Sequence, residues 1–270
     1  MKKQDLIEEY DRMWMGIALE LAALRAGRTS PNPPVGAVIV KGKRLQGTGV
    51  HEYCGGPHAE ILAINSAGRK CRGATLYVTL EPCSTRGRTG PCTDAIISSG
   101  ISRVVVCVRD PNPAHMGRGI KILGRAGIKV TLGTREEEGY ELIRPFSKWI
   151  TTGKPYLTLK MGMSIDGRTG DFSGKSKWIT SDTSREEVRS IRNHVDAILV
   201  GAGTALSDNP SLLADSTDGH QPFRIVVAGK RKLPEKLKMF SDKFSERTIV
   251  ALPRPCAPKE SRFFARKSVR

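Results

Sequence analysis

A chain of 270 residues exceeds the usual size of one domain and points to two compact domains of roughly 100 to 150 residues each. Hydrophobic residues at 39% and charged residues at 26% are ordinary for a soluble globular protein, and no apolar run approaches the roughly 20 residues that span a bilayer. The opening MKKQDLIEEY has no apolar core of a secretory signal, so the expectation is no membrane association and a cytoplasmic location, or a plastid or mitochondrial one without its transit peptide. The formal net charge of +17 calls for anionic partners, which nucleic acid and phosphorylated metabolites both satisfy. From Gly229 onward thirteen Lys/Arg stand against four Asp/Glu, and few aromatics are interleaved for base stacking, so a solvated basic tail is favoured over a nucleic-acid arm.

The elements follow in chain order. Apolar residues at three-and-four spacing predict a helix from about Asp11 to Arg25, stopped at Gly27. The proline-rich SPNPPVGAVIV reads as a turn entering a short buried strand, with a return strand over Leu45 to Val50. Then come a helix from His58 to Ser66, a strand from Ala74 to Thr79, a helix from Thr93 to Ser99 and a strand from Arg103 to Val108. A helix from Gly119 to Ala126 and a strand from Ile128 to Leu132 complete an alternating series. Alternation of this kind predicts a three-layer α/β domain, taken here as residues 1–148. Arg135 to Tyr140 and the following IRPFSKWITTGKP read as a connecting helix and a linker, and a second domain is placed at 154–270. It opens on an expected strand from Tyr156 to Met161, continues in a helix from Asp182 to Asn193, and has strands at Ala197 to Val200, Phe223 to Val227 and Thr248 to Leu252.

Six cysteines at 54, 71, 83, 92, 107 and 256 lack the regular spacing of a disulfide scaffold, which makes metal binding the better reading for a subset. Cys71 and Cys107 lie in apolar strand-like segments and read as buried, inert thiols. Pro57-His58-Ala59-Glu60 puts an imidazole at a helix start with a carboxylate two residues on, and Pro82-Cys83 and Pro91-Cys92 add two sulfurs. Three ligands of these types suit a catalytic zinc that keeps its fourth position for water, whereas a structural zinc normally closes with four. The helix start at Cys92 would favour its thiolate. The order His-x-Glu, then Pro-Cys and a second Cys, is the zinc deaminase pattern: a zinc-activated water attacks an amino-bearing ring carbon, and Glu60 moves the proton to the departing ammonia. Eight residues, STRGRTGP, separate Cys83 from Cys92 where nucleic-acid deaminases carry two, and this longer loop holds Arg86 and Arg88.

With these residues in view the chain resembles the bacterial and plant bifunctional riboflavin-biosynthesis enzymes, a pyrimidine deaminase fused to a pyrimidine reductase. The resemblance runs from Trp14 to about Lys232, on SPNPPVGAVIV, GTGVHEYCGGPHAE, EPCSTRGRTGPC and DPNP, then on TLKMGMSIDGRTG, SGKSKWIT and DAILVGAGTALSDNPSL. It implies a cytidine-deaminase-like domain followed by a dihydrofolate-reductase-like one. The implied reactions are hydrolytic deamination of 2,5-diamino-6-(5-phosphoribosylamino)pyrimidin-4-one, then NADPH reduction of the ribosyl group. By matching position His58, Cys83 and Cys92 are the Zn2+ ligands and Glu60 the proton donor. Asn32, His51, Asp110 and Asn112 would line the pyrimidine pocket; Ser176, Arg192 and Leu212 would meet the reductase substrate. Gly162, Trp178, Thr204 and Asp208 would meet the NADPH cofactor. The partners implied are a phosphorylated aminopyrimidine and further copies of the chain in a homo-oligomer, with no nucleic acid.

Three departures from the family pattern stand out. Asp215 occupies the place of a phosphate-contacting arginine, Thr85 that of a histidine, and the family's glycine-rich cofactor segment has no counterpart before Arg270. The second domain is therefore expected to be truncated, with weak or absent reductase activity. The rival readings are a base deaminase of the tRNA-editing kind, which the charge favours, and a catalytically silent scaffold with a structural zinc.

Overall fold

The computed structural model describes residues 3–85, 90–173, 178–216 and 219–253. The chain divides into two units, Met1–Thr158 and Leu159–Arg270.

The first unit holds α1 (Lys3–Ala23), β1 (Gly36–Lys41), β2 (Arg44–Val50), α2 (Ala59–Ala67), β3 (Thr75–Leu80), α3 (Cys92–Ser98), β4 (Arg103–Val108), α4 (Arg118–Arg125), β5 (Lys129–Leu132) and α5 (Glu136–Thr152). The sheet runs β2-β1-β3-β4-β5. β1 is antiparallel to both neighbours, and β3, β4 and β5 are parallel. β1, β3 and β4 are short valine- and leucine-rich runs buried on both faces, as central strands of a covered sheet must be. α1 and α5 cover one face, and α2 lies on β1 and β2 against α3. Three layers result, as the alternating pattern implies.

Two glycines let helices reach the sheet backbone. A Cβ on Gly36 would fall 2.1 Å from the Ala18 carbonyl oxygen of α1, and one on Gly49 2.1 Å from the Ala59 carbonyl oxygen of α2. The second contact matters for function, because it presses the first turn of α2, which carries Glu60, onto β2.

Two expectations at the junction of the units need correction. The expected linker after Tyr140 is helical, and a single helix, α5, spans it with Pro145 inside. Proline removes one interior hydrogen bond, but Pro145 is solvent-facing, while Gly139 and Ile143 on the buried side pack against β4 and the core and keep the helix together. The segment 156–161 forms no ladder among the described residues. Leu157 and Leu159 are each 84% exposed, so its apolar alternation has neither a buried face nor a partner strand.

In the second unit α6 (Asp182–Arg192), β6 (Ala197–Gly201), α7 (Ala202–Asp208), β7 (Phe223–Val227), α8 (Lys238–Ser241) and β8 (Thr248–Ala251) follow. The strands make a parallel sheet in the order β6-β7-β8. α6 is capped by Ser181, whose hydroxyl accepts from the Ser184 N–H. Ile198, Val200, Val226 and Val250 face a core with Ala205, Met239 and Phe240. On the same face Arg224 is fully buried and donates to the Asp242 carboxylate and to the carbonyls of Ser211, Met239 and Phe244, which compensates its lost hydration. No helix among the described residues is long and apolar enough to cross a membrane.

Candidate metal centre

Ligand sites in open α/β sheets gather where strands end at their carboxyl side. Here Cys83 follows β3 and Asp110 follows β4. His58 is the extended N-cap residue of α2, Glu60 sits in the first turn of that helix, and Cys92 opens α3. The fold thereby turns three distant chain segments towards one point.

His58 Nδ1 lies 3.2 Å from Cys92 Sγ and 3.5 Å from Cys83 Sγ. The three ligand atoms all lie within 4.8 Å of one another. A tetrahedral zinc with bonds of about 2.0 Å to nitrogen and about 2.3 Å to sulfur would set those atoms about 3.5 Å apart, so the donor set and its spacing fit the ion. The imidazole presents Nδ1 to both sulfurs, which identifies the ligating nitrogen.

Cys92 opens α3 as the sequence indicates, and the helix start serves the second sulfur as well. The Cys92 N–H, at the head of α3, donates to Cys83 Sγ at 3.3 Å, and the Thr93 N–H donates to the Cys83 carbonyl. Without the ion, the Cys83 thiol is drawn well below its ordinary value, chiefly by the hydrogen bond from the Cys92 thiol and further by His58, while a bound zinc takes both sulfurs as thiolates. Cys92 is pushed upward by that same hydrogen bond and by its burial.

Glu60 is 3% exposed. Burial, then the nearby Cys83 charge, lifts its carboxyl to about 7, and it hydrogen-bonds the Cys92 thiol. A carboxyl that exchanges its proton near neutral pH beside a metal cluster is suited to general acid–base work.

The other first-unit candidates surround this cluster unevenly. His51 stands edge-on to His58 with ring centroids 5.4 Å apart, and Asn32 Nδ2 is 3.1 Å from His51 Nε2. Asp110 is buried, with its pKa raised mainly by that burial and partly by the charges of Glu81 and Cys83. Its Oδ1 accepts from the Asn112 N–H, and Asn112 Oδ1 from the Ala114 N–H. Both residues thus brace their own turn, the loop chemistry their sequence also allows. Thr85 is exposed, and Arg86 and Arg88 lie outside the described residues. Glu81, which sequence reasoning passed over, is buried directly before Pro82-Cys83. Its signal was a carboxylate placed where a strand end should be apolar.

In the second unit the candidates fall into smaller groups. Arg192 donates to the Leu213 carbonyl beside Leu212, which is buried with a φ of 55°. Burial holds the Arg192 pKa below its ordinary value. Thr204 and Asp208 are on α7, and Gly162 approaches Thr180. Trp178 is exposed and stacks under Arg185 at 4.3 Å. Ser176 lies outside the described residues.

Comparison with known proteins matches residues 8–108 to the cytidine and deoxycytidylate deaminase zinc-binding region and residues 155–265 to the RibD C-terminal domain. The chain is 46% identical over 246 residues to the riboflavin biosynthesis protein RibD of Aquifex aeolicus, covering 91% of this chain and 69% of that protein. The chain belongs to the RibD family. The Escherichia coli RibD is 44% identical over 236 residues, and the chain spans 64% of its length. Among solved RibD-family structures, the deaminase/reductase of Thermotoga maritima aligns with a TM-score of 0.85 at 41% identity, over 97% of this chain and 80% of that one. Acinetobacter baumannii RibD aligns with a TM-score of 0.83 at 38% identity, over 97% and 73%. The RibD-family fold is therefore present in both parts, a cytidine-deaminase-like zinc domain followed by a dihydrofolate-reductase-like one.

Proposed function

We propose that residues 1–148 hydrolyse the exocyclic amine of 2,5-diamino-6-(5-phosphoribosylamino)pyrimidin-4-one, releasing ammonia and the corresponding uracil, in a cytoplasmic homo-oligomer. The observation that carries this reading is a buried Glu60 in the first turn of α2, two residues beyond His58, beside the His58, Cys83 and Cys92 cluster. His58 Nδ1 and the sulfurs of Cys83 and Cys92 would hold a zinc ion, which when bound would supply the Lewis acidity that makes hydroxide available from water at neutral pH. Glu60 accepts the proton of the attacking water and passes it to the amine nitrogen as the C–N bond breaks, so one carboxylate serves as base and then as acid. His51 and Asn32 form the wall beside His58, and Asp110 and Asn112 present the loop after β4 to the pyrimidine edge, whose donors and acceptors their side chains can match.

For residues 154–270 we propose NADPH-dependent reduction of the ribosyl group to ribityl, slowed by Asp215. Gly162, Trp178, Thr204 and Asp208 are assigned to the cofactor, and Ser176, Arg192 and Leu212 to the substrate. Asp215 Oδ2 pairs with Arg189 Nε at 3.2 Å and also acts on Arg192. That acid draws on the cations a substrate phosphate would need and repels the phosphate itself.

The test is sequential. Zinc-loaded protein with the diaminopyrimidine ribosyl phosphate and no NADPH should release ammonia, and adding NADPH should then give slow oxidation that Asp215→Arg accelerates. Ammonia release from a tRNA but not from the pyrimidine would instead establish a nucleic-acid deaminase.

A further inference from the structure

Glu81 joins the cysteine segment to the loop that carries Asp110 and Asn112. Its backbone N–H donates to the Val108 carbonyl at the end of β4. Its side chain, buried at the end of β3, accepts three backbone N–H bonds from across the sheet. Oε2 takes those of Asp110 at 3.2 Å and Gly117 at 2.9 Å, and Oε1 takes that of Ile120 at 3.3 Å. These donors mark the two ends of the excursion between β4 and α4. Gly117, in the left-handed region, is the N-cap position of α4 and has no side chain of its own to cap the helix. Glu81 supplies that cap from another segment, where a carboxylate is most favourable. The packing is close on the same side: a Cβ on Gly119 would lie 2.1 Å from the Pro82 carbonyl oxygen and 3.3 Å from Glu81 Cγ.

We propose that Glu81 is a positioning residue for the deaminase site. It fixes the 110–120 loop in register with Cys83, two residues further along the chain, and so sets the distance between the metal cluster and the side chains that read the pyrimidine. It touches neither metal nor substrate. Loss of the carboxylate frees both ends of the loop at once, so substrate recognition suffers before the ligand cluster does. Glutamine keeps one carbonyl oxygen able to serve Asp110 and Gly117, but turns an amide N–H2 towards the Ile120 N–H, so partial function is retained. Aspartate, one methylene shorter, does not span the gap.

This inference rests on the reading of Asp110 and Asn112 as substrate residues. The experiment uses full-length, zinc-loaded Glu81→Gln, Glu81→Asp and Glu81→Ala. Zinc content, kcat and KM for ammonia release, and amide hydrogen exchange over residues 109–121 are measured alongside Asn112→Ala. The expected result is unchanged zinc, KM raised about tenfold or more in Glu81→Asp and Glu81→Ala and less in Glu81→Gln, kcat within about threefold, and faster exchange at Asp110, Gly117 and Ile120. Unchanged exchange and KM in Glu81→Ala would overturn the proposal, as would zinc loss with kcat and KM falling together in all three variants. Exchange that accelerates while KM stays fixed in both Glu81→Ala and Asn112→Ala would overturn the substrate reading and leave the anchoring in place.

Discussion

Asn32 and His51 form one hydrogen-bonded unit: Asn32 Nδ2 is 3.1 Å from His51 Nε2, while His51 Nδ1 is 3.0 Å from the Pro57 carbonyl oxygen. A carbonyl only accepts, so Nδ1 carries the proton and Nε2 accepts from Asn32. The pair ties the turn before β1 to the residue preceding His58. In a double-mutant cycle of Asn32→Ala and His51→Ala, the two losses in kcat/KM should fall short of additive by about 1 kcal/mol, with zinc retained in each. Purely additive losses would show that the two side chains act separately.

Thiol accessibility separates the cysteines by role. Cys54 is exposed, whereas Cys71 and Cys107 are buried, and burial pushes the Cys107 thiol up to about 12. Alkylation of the native zinc-loaded protein, read by peptide mass spectrometry, should modify Cys54 and spare Cys71, Cys83, Cys92 and Cys107. After chelation Cys83, the less buried of the two zinc sulfurs, should react before Cys92.

Asp110 is a buried carboxyl whose ionisation the fold disfavours, a cost that its proposed role at the pyrimidine would account for. Its folded pKa lies above the unfolded value, mainly through burial. Its contribution is therefore present below the unfolded value of about 3.9 and is lost as the pH rises through the folded value, so the ionised carboxylate is unfavourable at pH 7. Asp110→Asn keeps an acceptor for the Asn112 N–H and removes the charge. Its Tm should rise by about 2 °C at pH 7, with the gap closing below about pH 4, while deamination falls at least about tenfold. A Tm lowered at pH 7 would contradict this assignment.

The approach of α2 to β2 should be intolerant of one added methyl. A Cβ on Gly49 would fall 2.1 Å from the Ala59 carbonyl oxygen and 2.5 Å from the Ala63 nitrogen. Gly49→Ala should cost about 3 kcal/mol in urea unfolding and weaken zinc binding through the displaced His58. Gly124→Ala, where a Cβ meets nothing within 4 Å, should be neutral or stabilising by up to about 1 kcal/mol.

The metal ligands were legible in the sequence because zinc restricts both residue type and placement, and His58, Cys83 and Cys92 sit at a helix start, beyond a strand end and at another helix start. The layers were legible too, since β1, β3 and β4 are buried on both faces and read as apolar runs. What stayed hidden depends on tertiary partners. Pro145 looks like a helix end, yet Ile143 and Gly139 pack one face of α5 and carry the helix past it. The run 156–161 has the alternation of a strand but no neighbour to pair with among the described residues. The hydrogen bond from the Cys92 N–H to Cys83 Sγ turns on where that N–H points, and the contacts of Glu81 on donors found 29 to 39 residues away. Neither is visible in local spacing.

The most direct test compares zinc-loaded wild-type protein with Glu60→Gln for ammonia release from the diaminopyrimidine ribosyl phosphate, with bound zinc quantified in both. Zinc retained in full and turnover reduced by about 10³-fold or more is the expected result, since a general acid–base group typically contributes about 10²- to 10⁴-fold. Undiminished ammonia release by Glu60→Gln would contradict the assignment of Glu60 as the proton carrier and the deaminase mechanism built on it.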